Sequence, residues 1–479
     1  MNTYPPLPQQ PQPSQETPHW GSRLFTLGLI LLVAVEVYYF FHAETRTQTH
    51  LLLGLLMIGL AFLPALLWAK RGRASLPVFE ALLFTCANAY ALPLLNGHSD
   101  LVHYSDEEIT RAALGVIVFQ LSAISIYQMV IVDISTSRFW REDVLSSAIS
   151  RWLGYGLGLN TLYIVASTFT TLIPPGINSV LRAVFFGLGI ICMFITSRRL
   201  GLGELGPGQR AYFFLNLILQ CVCMMATLYL VSTVSLLLLT LVGYVSSSGR
   251  VPLIVTGLCL AILALFHNGK SPMREKYWGE EHLIPHVSEL PAFYNEWIGY
   301  GLETDTTGKD RKKITGKLID RTSLFHIMCL VVSISPAQQP YLNGETYRDI
   351  PAQFIPRLFW PSKPLGNLST SRLSVYFGLQ SEDDAQKTSI GFGMLSEAYA
   401  NFGYFGLALL GVLVGGGFKK IQGWASDGPL FSYGGLLLII LLAWSFQVEF
   451  TLSTWLASLY QASVAVLGIP FIIRQFFGE

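Results

Sequence analysis

Apolar runs of close to 20 residues recur along nearly the whole chain, and this pattern restricts the fold more than any other feature. A helix needs roughly 20 apolar residues to cross a bilayer. With 52% apolar and only 13% charged residues, the composition excludes a soluble enzyme, a disordered regulator and a nucleic-acid-binding protein. The pattern predicts an all-α fold, a polytopic transmembrane helical bundle of about twelve spans, within a range of eleven to thirteen. The predicted spans are 24–42, 50–69, 76–95, 109–133, 152–173, 179–197, two within 211–246, 251–267, 393–417, 430–448 and 452–473.

The stretch 211–246 is too long for a single span. As one helix, its roughly 36 residues at about 1.5 Å each would extend roughly 54 Å, whereas the hydrocarbon core is about 30 Å thick. We therefore predict two spans, with a turn near Ser232 and Thr233.

Lys and Arg in the short loops predict the orientation. With twelve spans, these residues all fall on one side, which identifies that side as the cytoplasm. They are Lys70, Arg71, Arg73, Arg138, Arg141, Arg198, Arg199, Arg210, Arg250, Lys419 and Lys420. Both termini are then cytoplasmic, and the long polar segment 268–390 lies on the outer face. We predict a multi-pass membrane protein whose large loop lies on the outer face, which is the periplasm if the membrane is a Gram-negative inner membrane.

The chain divides into four predicted parts. Residues 1–22, rich in Pro and Gln, form a disordered cytoplasmic tail, because such a segment cannot bury an apolar face. About nine spans occupy 23–267, the large periplasmic loop with short helices occupies 268–390, and about three spans occupy 391–479. Within the loop, the apolar stretch 324–334 is too short to span and is predicted to lie in the interface or to re-enter the membrane.

The six cysteines give no sign of a metal or disulfide framework. Almost all of them fall inside apolar runs, without metal-type spacing, so we expect them to serve as apolar packing residues. The sequence also lacks a P-loop or a Rossmann glycine pattern. We expect neither a metal nor a cofactor.

Basic residues at a membrane exit suit a lipid-linked phosphate, because they supply charge and donors at headgroup depth. Lys270 and Arg274 follow the span 251–267 in this way. The alternative is a pair of anchors that reach toward the interface. Arg321, beside Asp320, precedes the short apolar stretch and is either a further phosphate contact or half of a local ion pair.

A proline-rich segment follows the sequence GETYR (344–348), which contains Tyr347 and Arg348. Four prolines between 351 and 364 exclude a regular helix there. Rigid turns that present Arg357, Trp360 and Lys363 would suit a sugar diphosphate, because Trp stacks on sugar rings and Arg binds phosphate through two nitrogens. The alternative is a connector with a Trp anchored in the interface.

Glu397 lies in an apolar helix near the predicted outer interface. An ionisable residue at that depth is a functional candidate, because burying its charge is costly. Asn401, four residues on, shares its helix face, whereas Tyr399 points elsewhere. The glycines of the same segment allow close helix packing, which is the structural alternative. Other acidic residues in or beside apolar runs are Glu36, Glu80 and Glu449.

The order of these motifs resembles a known family. A G-x-x-Y element (344–347), an I-P-R-x-x-W-P-x-K-P element (355–364) and a G-x-x-x-E-x-Y-x-N-F-G element (393–403) follow a basic membrane exit. This arrangement is similar to the Wzy-type oligosaccharide repeat-unit polymerases of bacterial O-antigens and exopolysaccharides. The matching elements lie within 267–406, and Ser362 stands where an acidic residue is expected.

The resemblance implies a metal-independent transfer of a growing glycan from polyprenyl diphosphate to the non-reducing end of a newly delivered lipid-linked repeat unit. Such a reaction needs cations at the departing diphosphate and a general base for the acceptor hydroxyl. The cations proposed are Lys270, Arg274, Arg321, Arg357, Lys363 and Arg372. Glu397 is the first choice for the base and His326 the second, with Tyr347, Arg348, Trp360, Tyr399 and Asn401 as substrate contacts.

Partners implied by the resemblance are the lipid-linked oligosaccharide, membrane lipids, a flippase and a chain-length regulator, with no nucleic acid. Two other functions fit the pattern. A glycan ligase would use the same donor with a different acceptor. A lipid-linked glycan transporter would share the polytopic bundle, although transporters usually contain structural repeats, which the two halves of this chain do not show.

Overall fold

The computed structural model describes residues 19–71, 76–129, 138–144, 149–173, 175–277, 284–302, 323–355, 360, 362–387, 389–425, 428–468 and 471. Within these ranges the protein is all-helical and has no β-strand. One isolated β-bridge joins Asp143 to Ser432. The prediction of an all-α fold is confirmed. The predicted tail lies almost wholly outside the described residues.

Nine longer helices precede the large loop. They are α1 (His19–His42), α2 (Gln48–Arg71), α3 (Val78–Cys86), α4 (Asp106–Met129), α5 (Ile149–Phe169), α6 (Pro175–Gly201), α7 (Pro207–Ala226), α8 (Leu230–Ser248) and α9 (Leu253–Asn268). A π-helical turn (Ala87–Ala91) and a last turn (Leu92–Leu95) extend α3. A 3-10 turn (Ser99–His103) precedes α4, and a single helical turn (Arg138–Arg141) follows it.

The loop and the C-terminal part contribute eight more labelled helices. They are α10 (Lys270–Tyr277), α11 (Leu290–Leu302), α12 (Phe325–Ile334), α13 (Leu368–Tyr376), α14 (Glu382–Lys387), α15 (Gly393–Trp424), α16 (Tyr433–Ser445) and α17 (Leu452–Ser463). Single turns are at Val287–Glu289, Glu345–Tyr347 and Ile350–Gln353, and a π-helical turn (Val464–Gly468) extends α17. The loop thus contains short helices, as predicted.

Among the residues that the structure describes, eight helices are long and apolar enough to cross a membrane, which makes this a helical membrane protein. They are Arg23–His42, Gln48–Arg71, Val78–Leu95, Asp106–Met129, Val184–Gly201, Pro207–Ala226, Leu230–Ser248 and Gly393–Trp424. The other four predicted spans coincide with α5, α9, α16 and α17. The count of twelve therefore stays a prediction.

The long apolar stretch 211–246 is indeed divided. Helix α7 ends at Ala226 and α8 begins at Leu230, so the turn lies slightly earlier than Ser232. Leu228 makes this turn with a left-handed φ of 60°.

Side chains from several predicted cytoplasmic ends meet at one end of the bundle. Arg71 donates to Gln128, and the Tyr127 hydroxyl donates to Gln422 Oε1 at 2.6 Å. The Lys419 ammonium lies 5.1 Å from the centre of the Tyr127 ring. The ends of α2, α4 and α15 therefore come together, as alternating spans require. We call the opposite end, which bears the large loop, the loop end.

Helix α12 forms where it was predicted, but its surroundings differ from the expectation. Phe325, Met328, Cys329 and Val331 are fully buried, and the helix packs against α4 and α15. An apolar helix of only ten residues cannot cross a bilayer, yet it buries its side chains by entering the protein core. This stretch packs in the protein core between α4 and α15, and its position in the interface or as a re-entrant segment stays a prediction.

Candidate functional site

Asn401 joins two sequence motifs that are more than 50 residues apart. Its buried side chain accepts a hydrogen bond from the backbone N–H of Gly344 at 2.9 Å and donates to Thr346 Oγ1 at 2.8 Å. It also donates to the carbonyl of Glu397 at 2.8 Å, one helical turn earlier. Both N–H donors of the amide are thus used, and its oxygen accepts one bond, so the G-x-x-Y and E-x-Y-x-N-F-G elements form one unit.

A break in α15 makes this junction possible. Phe402 and Gly403 leave the helical conformation, Gly403 with a φ of 59° that favours glycine. The freed carbonyls of Ala400 and Asn401 accept hydrogen bonds from the backbone of 342–343, at 2.9 and 3.1 Å. A Cβ at Gly403 would lie 2.7 Å from the Tyr341 hydroxyl. The break therefore serves as the docking edge for the loop.

Glu397 is fully buried and contacts the start of α17. Its Oε2 accepts a hydrogen bond from the backbone N–H of Leu452, the first residue of that helix, at 2.6 Å. A carboxylate is stabilised at a helix N-terminus by the unpaired N–H groups and the helix dipole. Oε1 has no hydrogen-bond partner among the described residues, and the Thr346 hydroxyl lies nearby. In this arrangement Glu397 fastens α15 to α17 and cannot itself touch a solvent-borne hydroxyl.

Hydroxyl groups extend the same network. Thr451, the residue before α17, lies 2.9 Å from Ser369 Oγ and 3.2 Å from Thr370 Oγ1, both near the start of α13. Thr454 donates to the carbonyl of Gly366 at 3.0 Å. The segment 342–376 is therefore fixed to the bundle at two places, at the break of α15 and at the start of α17.

A cavity of about 610 Å³ opens within this segment, and we call it the loop cavity. Its lining residues are Leu342, Glu345, Thr346, Leu365, Asn367, Leu368, Ser371, Arg372, Val375, Tyr376, Glu382 and Ala385. Arg372 is half-buried on its wall and pairs with Asp349 at 2.7 Å between Nη1 and Oδ2. A cation beside carboxylates and hydroxyls suits a polar ligand such as a sugar.

The residues around the prolines that were predicted to contact the sugar diphosphate differ in their exposure. Lys363 is buried, and its ammonium donates to the carbonyl of Ile355 at 2.8 Å, so it holds the proline-rich segment together. Trp360 and Arg348 are exposed and remain available to a ligand. Arg357 lies outside the described residues, as does Arg321.

Two aromatic residues of the motifs take different sides. The half-buried Tyr347 packs near Phe402, with ring centres 6.4 Å apart. Burial and the neighbouring Glu397 raise the pKa of the Tyr347 hydroxyl, so it stays protonated. Tyr399 is buried between Tyr341 and Tyr404 and points away from Glu397, as the helical spacing predicted.

The basic residues at the exit of α9 lie beside an acidic partner that comes from the C-terminal part. Arg274 donates to the carbonyl of Leu228 at 3.0 Å, and its guanidinium lies 5.4 Å from the centre of the Tyr229 ring. Both Lys270 and Arg274 act on the Glu449 carboxyl. Surrounding protein raises the pKa of Glu449, and the two cations act in the opposite direction. Because the Glu449 side chain keeps open surface, the three residues lie in a crevice.

A second cavity, of about 440 Å³, lies between membrane helices below this crevice, and we call it the bundle cavity. Its polar lining residues are Asn160, Arg182, Gln220, Ser232, Ser235, Gln447, Ser458 and Gln461. Val231 and Phe450 also line it, and these are close neighbours in sequence of Tyr229 and Glu449. Lys270 and Arg274 therefore lie near this cavity without lining it, and the cation on its wall is Arg182.

His326, the second choice for the general base, does not have the properties that this role requires. Burial and the neighbouring His98 lower the pKa of His326 to about 4. A group with that pKa holds a proton too weakly to act efficiently as a base near neutral pH. Its Nδ1 lies 3.2 Å from Ser323 Oγ.

No family model matches this sequence, and the searches of curated proteins and of solved structures give no match either. The resemblance to the repeat-unit polymerases therefore rests on the sequence motifs alone.

Several residues of the site were not found from the sequence. Thr346 and Thr451 look like ordinary hydroxyl residues, and the N–H of Leu452 leaves no trace in a side-chain pattern. Glu449 was noted at a span end, but its pairing with Lys270 and Arg274 depends on how distant helices pack. Only the fold brings these groups together.

Proposed function

We propose that this protein polymerises polyprenyl-diphosphate-linked oligosaccharide repeat units at the outer face of a bacterial inner membrane. The observation that carries the proposal is the pair of cations Lys270 and Arg274 near the bundle cavity, whose wall also carries Arg182. A prenyl diphosphate needs cations at headgroup depth and a path between helices for its apolar chain.

The loop cavity suits the second substrate, the lipid-linked repeat that accepts the chain. The segment 449–452 runs between the two cavities: Phe450 lines the bundle cavity, and Leu452 bonds to Glu397, beside Thr346 of the loop cavity. Donor and acceptor would thus meet at the start of α17. Arg372 on the cavity wall would hold a sugar or phosphate oxygen of the acceptor.

The proposed transfer forms one glycosidic bond. The acceptor hydroxyl oxygen bonds to the anomeric carbon of the donor glycan as the bond from that carbon to the diphosphate breaks. The diphosphate leaves with the electron pair, and Lys270 and Arg274 stabilise its charge. The hydroxyl proton ends on a base or on the departing diphosphate. We assign Glu397 to positioning α15 against α17, because its carboxylate is buried and bonded to a backbone N–H.

Reconstituted protein with a lipid-linked repeat unit tests the proposal, with products resolved by size. Wild type should give a ladder of extended lipid-linked glycan. Arg274→Ala should reduce it at least tenfold at equal folded protein, whereas Lys276→Ala, an exposed position on the same helix, should not. A ladder that is unchanged in Arg274→Ala would exclude the assigned donor site.

Transport of a lipid-linked glycan is a second candidate function, because the bundle cavity lies between membrane helices and carries polar side chains as well as apolar ones. The same vesicles separate the candidates. Movement of the substrate across the bilayer without a ladder would indicate a transporter. Transfer of the glycan to an added lipid A core acceptor would indicate a ligase.

A further inference from the structure

Three residues that can bind a metal come together at the loop end, away from both cavities. His98 and Asp100 belong to the turn between α3 and α4, and His326 begins α12. One ligand atom from each lies within 4.8 Å of the other two. The His98 and His326 rings stack, with centres 4.7 Å apart and planes inclined by 10°. No sequence pattern predicts this cluster, because 228 positions separate the two histidines.

We propose that His98, Asp100 and His326 form a binding site for a divalent transition-metal ion of the zinc class. Two imidazoles and one carboxylate are a common ligand set for Zn²⁺, with water in the fourth position. Ligands at about 2.0–2.2 Å from one ion lie closer together than the present separation. The cluster must therefore contract, and the stacked rings must rotate, because an imidazole nitrogen binds an ion in the plane of its ring. Asp100 is exposed and His326 half-buried, so these two side chains have room to turn around the buried His98.

The surrounding hydrogen bonds support and orient the ligands. Ser323 Oγ lies 3.2 Å from His326 Nδ1. This contact occupies Nδ1 and leaves Nε2 of the same ring to bind the ion. His98 Nδ1 accepts a hydrogen bond from the Asp100 N–H at 3.1 Å, and metal binding to this ring exchanges that bond for coordination. On the other side of the turn, Arg46 donates to the carbonyls of Leu101 and Tyr104 and so holds the turn from outside.

An ion at this position would connect two segments that are far apart in sequence. The loop that carries His98 belongs to the N-terminal bundle, and His326 belongs to the large loop. The backbone bond from Leu324 N–H to the carbonyl of Ala89, at 2.9 Å, already brings them together. Metal binding would lock α12 in its buried place, because the ion stabilises only the folded state.

Titration of the full-length, tag-free protein in detergent with Co²⁺ and with Zn²⁺ tests the site. We expect one Co²⁺ per chain with a visible absorption band of four- or five-coordinate geometry, displaced by Zn²⁺. Asp100→Asn and His326→Asn should each weaken binding at least tenfold. His103→Ala changes an exposed histidine of the same turn and should leave the binding constant unchanged.

Thermal unfolding provides a second measurement and detects misfolding of the variants. Zn²⁺ should raise the unfolding temperature of wild type and of His103→Ala, and should not raise that of Asp100→Asn, whose exposed side chain is not needed for folding. Absence of saturable Co²⁺ and Zn²⁺ binding to wild type would overturn the proposal. Metal binding that is unchanged in both Asp100→Asn and His326→Asn would overturn the proposal as well.

Discussion

Two segments of the large loop are held to the bundle by different forces. The segment 342–376 is fixed by buried hydrogen bonds through Asn401, Glu397 and Thr451. The segment 270–302 is fixed by apolar contacts, in a small core that is separate from the main one, with added hydrogen bonds from its side chains to backbone carbonyls of the bundle. That core consists of Met225, Leu228, Leu230, Met273, Phe293 and Trp297. Hydrogen bonds fix one geometry, whereas apolar contacts tolerate sliding, so the loop cavity should be the more rigid of the two candidate sites.

Trp297→Ala should have the largest effect and should affect only the apolar segment. The fully buried ring is central to the small core, so its loss should cost about 4 kcal/mol locally. Hydrogen exchange of α11 should accelerate while that of α13 stays slow. Trp360→Ala removes an exposed ring and serves as the control. Equal acceleration in both segments would show that they are not independent.

Asn401→Ala should release the polar segment at a cost of about 3 kcal/mol, because three hydrogen bonds are lost and their buried partners stay unpaired. Exchange should accelerate at 342–354, and α11 should keep its protection. Asn367→Ala, at an exposed position, is the matched control and should change stability by less than about 0.5 kcal/mol. If Asn401→Ala and Asn367→Ala change hydrogen exchange and stability equally, the buried hydrogen bonds do not hold the segment 342–376.

Glu397→Gln should cost about 1 kcal/mol, because the amide keeps an acceptor for Leu452 N–H but loses the charge at the helix N-terminus. If Glu397 only positions α17, glycan products should fall no more than the folded fraction does. Glu107→Gln, at an exposed position, controls for loss of a carboxylate. Complete loss of product in fully folded Glu397→Gln would restore the general-base role predicted from the sequence.

The smallest effect concerns the ion pair between α10 and α11. Lys276 Nζ lies 2.6 Å from Glu296 Oε1, and this contact lowers the pKa of Glu296 below 4.5. A lowered carboxyl pKa stabilises the fold above pH 4.5, and this stabilisation is lost as the pH falls through the lowered value. Wild type should therefore unfold at a slightly higher temperature than Glu296→Gln at pH 7. The difference should shrink as the pH falls below 4.5, and a constant difference would exclude a charge effect.

The membrane helices could be predicted because hydropathy and length act locally. Even the division of 211–246 followed from the thickness of a bilayer alone. The site could be predicted only in part. Glu397 and Asn401 were correctly placed on one helix face, but their partners lie 55 or more positions away or are backbone groups. Lys363 was expected at a phosphate, and its burial against the Ile355 carbonyl depends on how the prolines turn the chain, which no local pattern specifies.

The break at Gly403 also determines how deep the motif lies. From Tyr404 to Phe418, before the predicted cytoplasmic Lys419 and Lys420, α15 contains 15 residues, which at about 1.5 Å each extend roughly 22 Å and so fall short of the hydrocarbon core of about 30 Å. The part before the break therefore supplies the rest of the predicted span, and its Glu397 and Asn401 are fully buried in protein. Glu397 and Asn401 are therefore shielded by protein instead of by lipid, and a bilayer of different thickness should leave their hydrogen bonds unchanged.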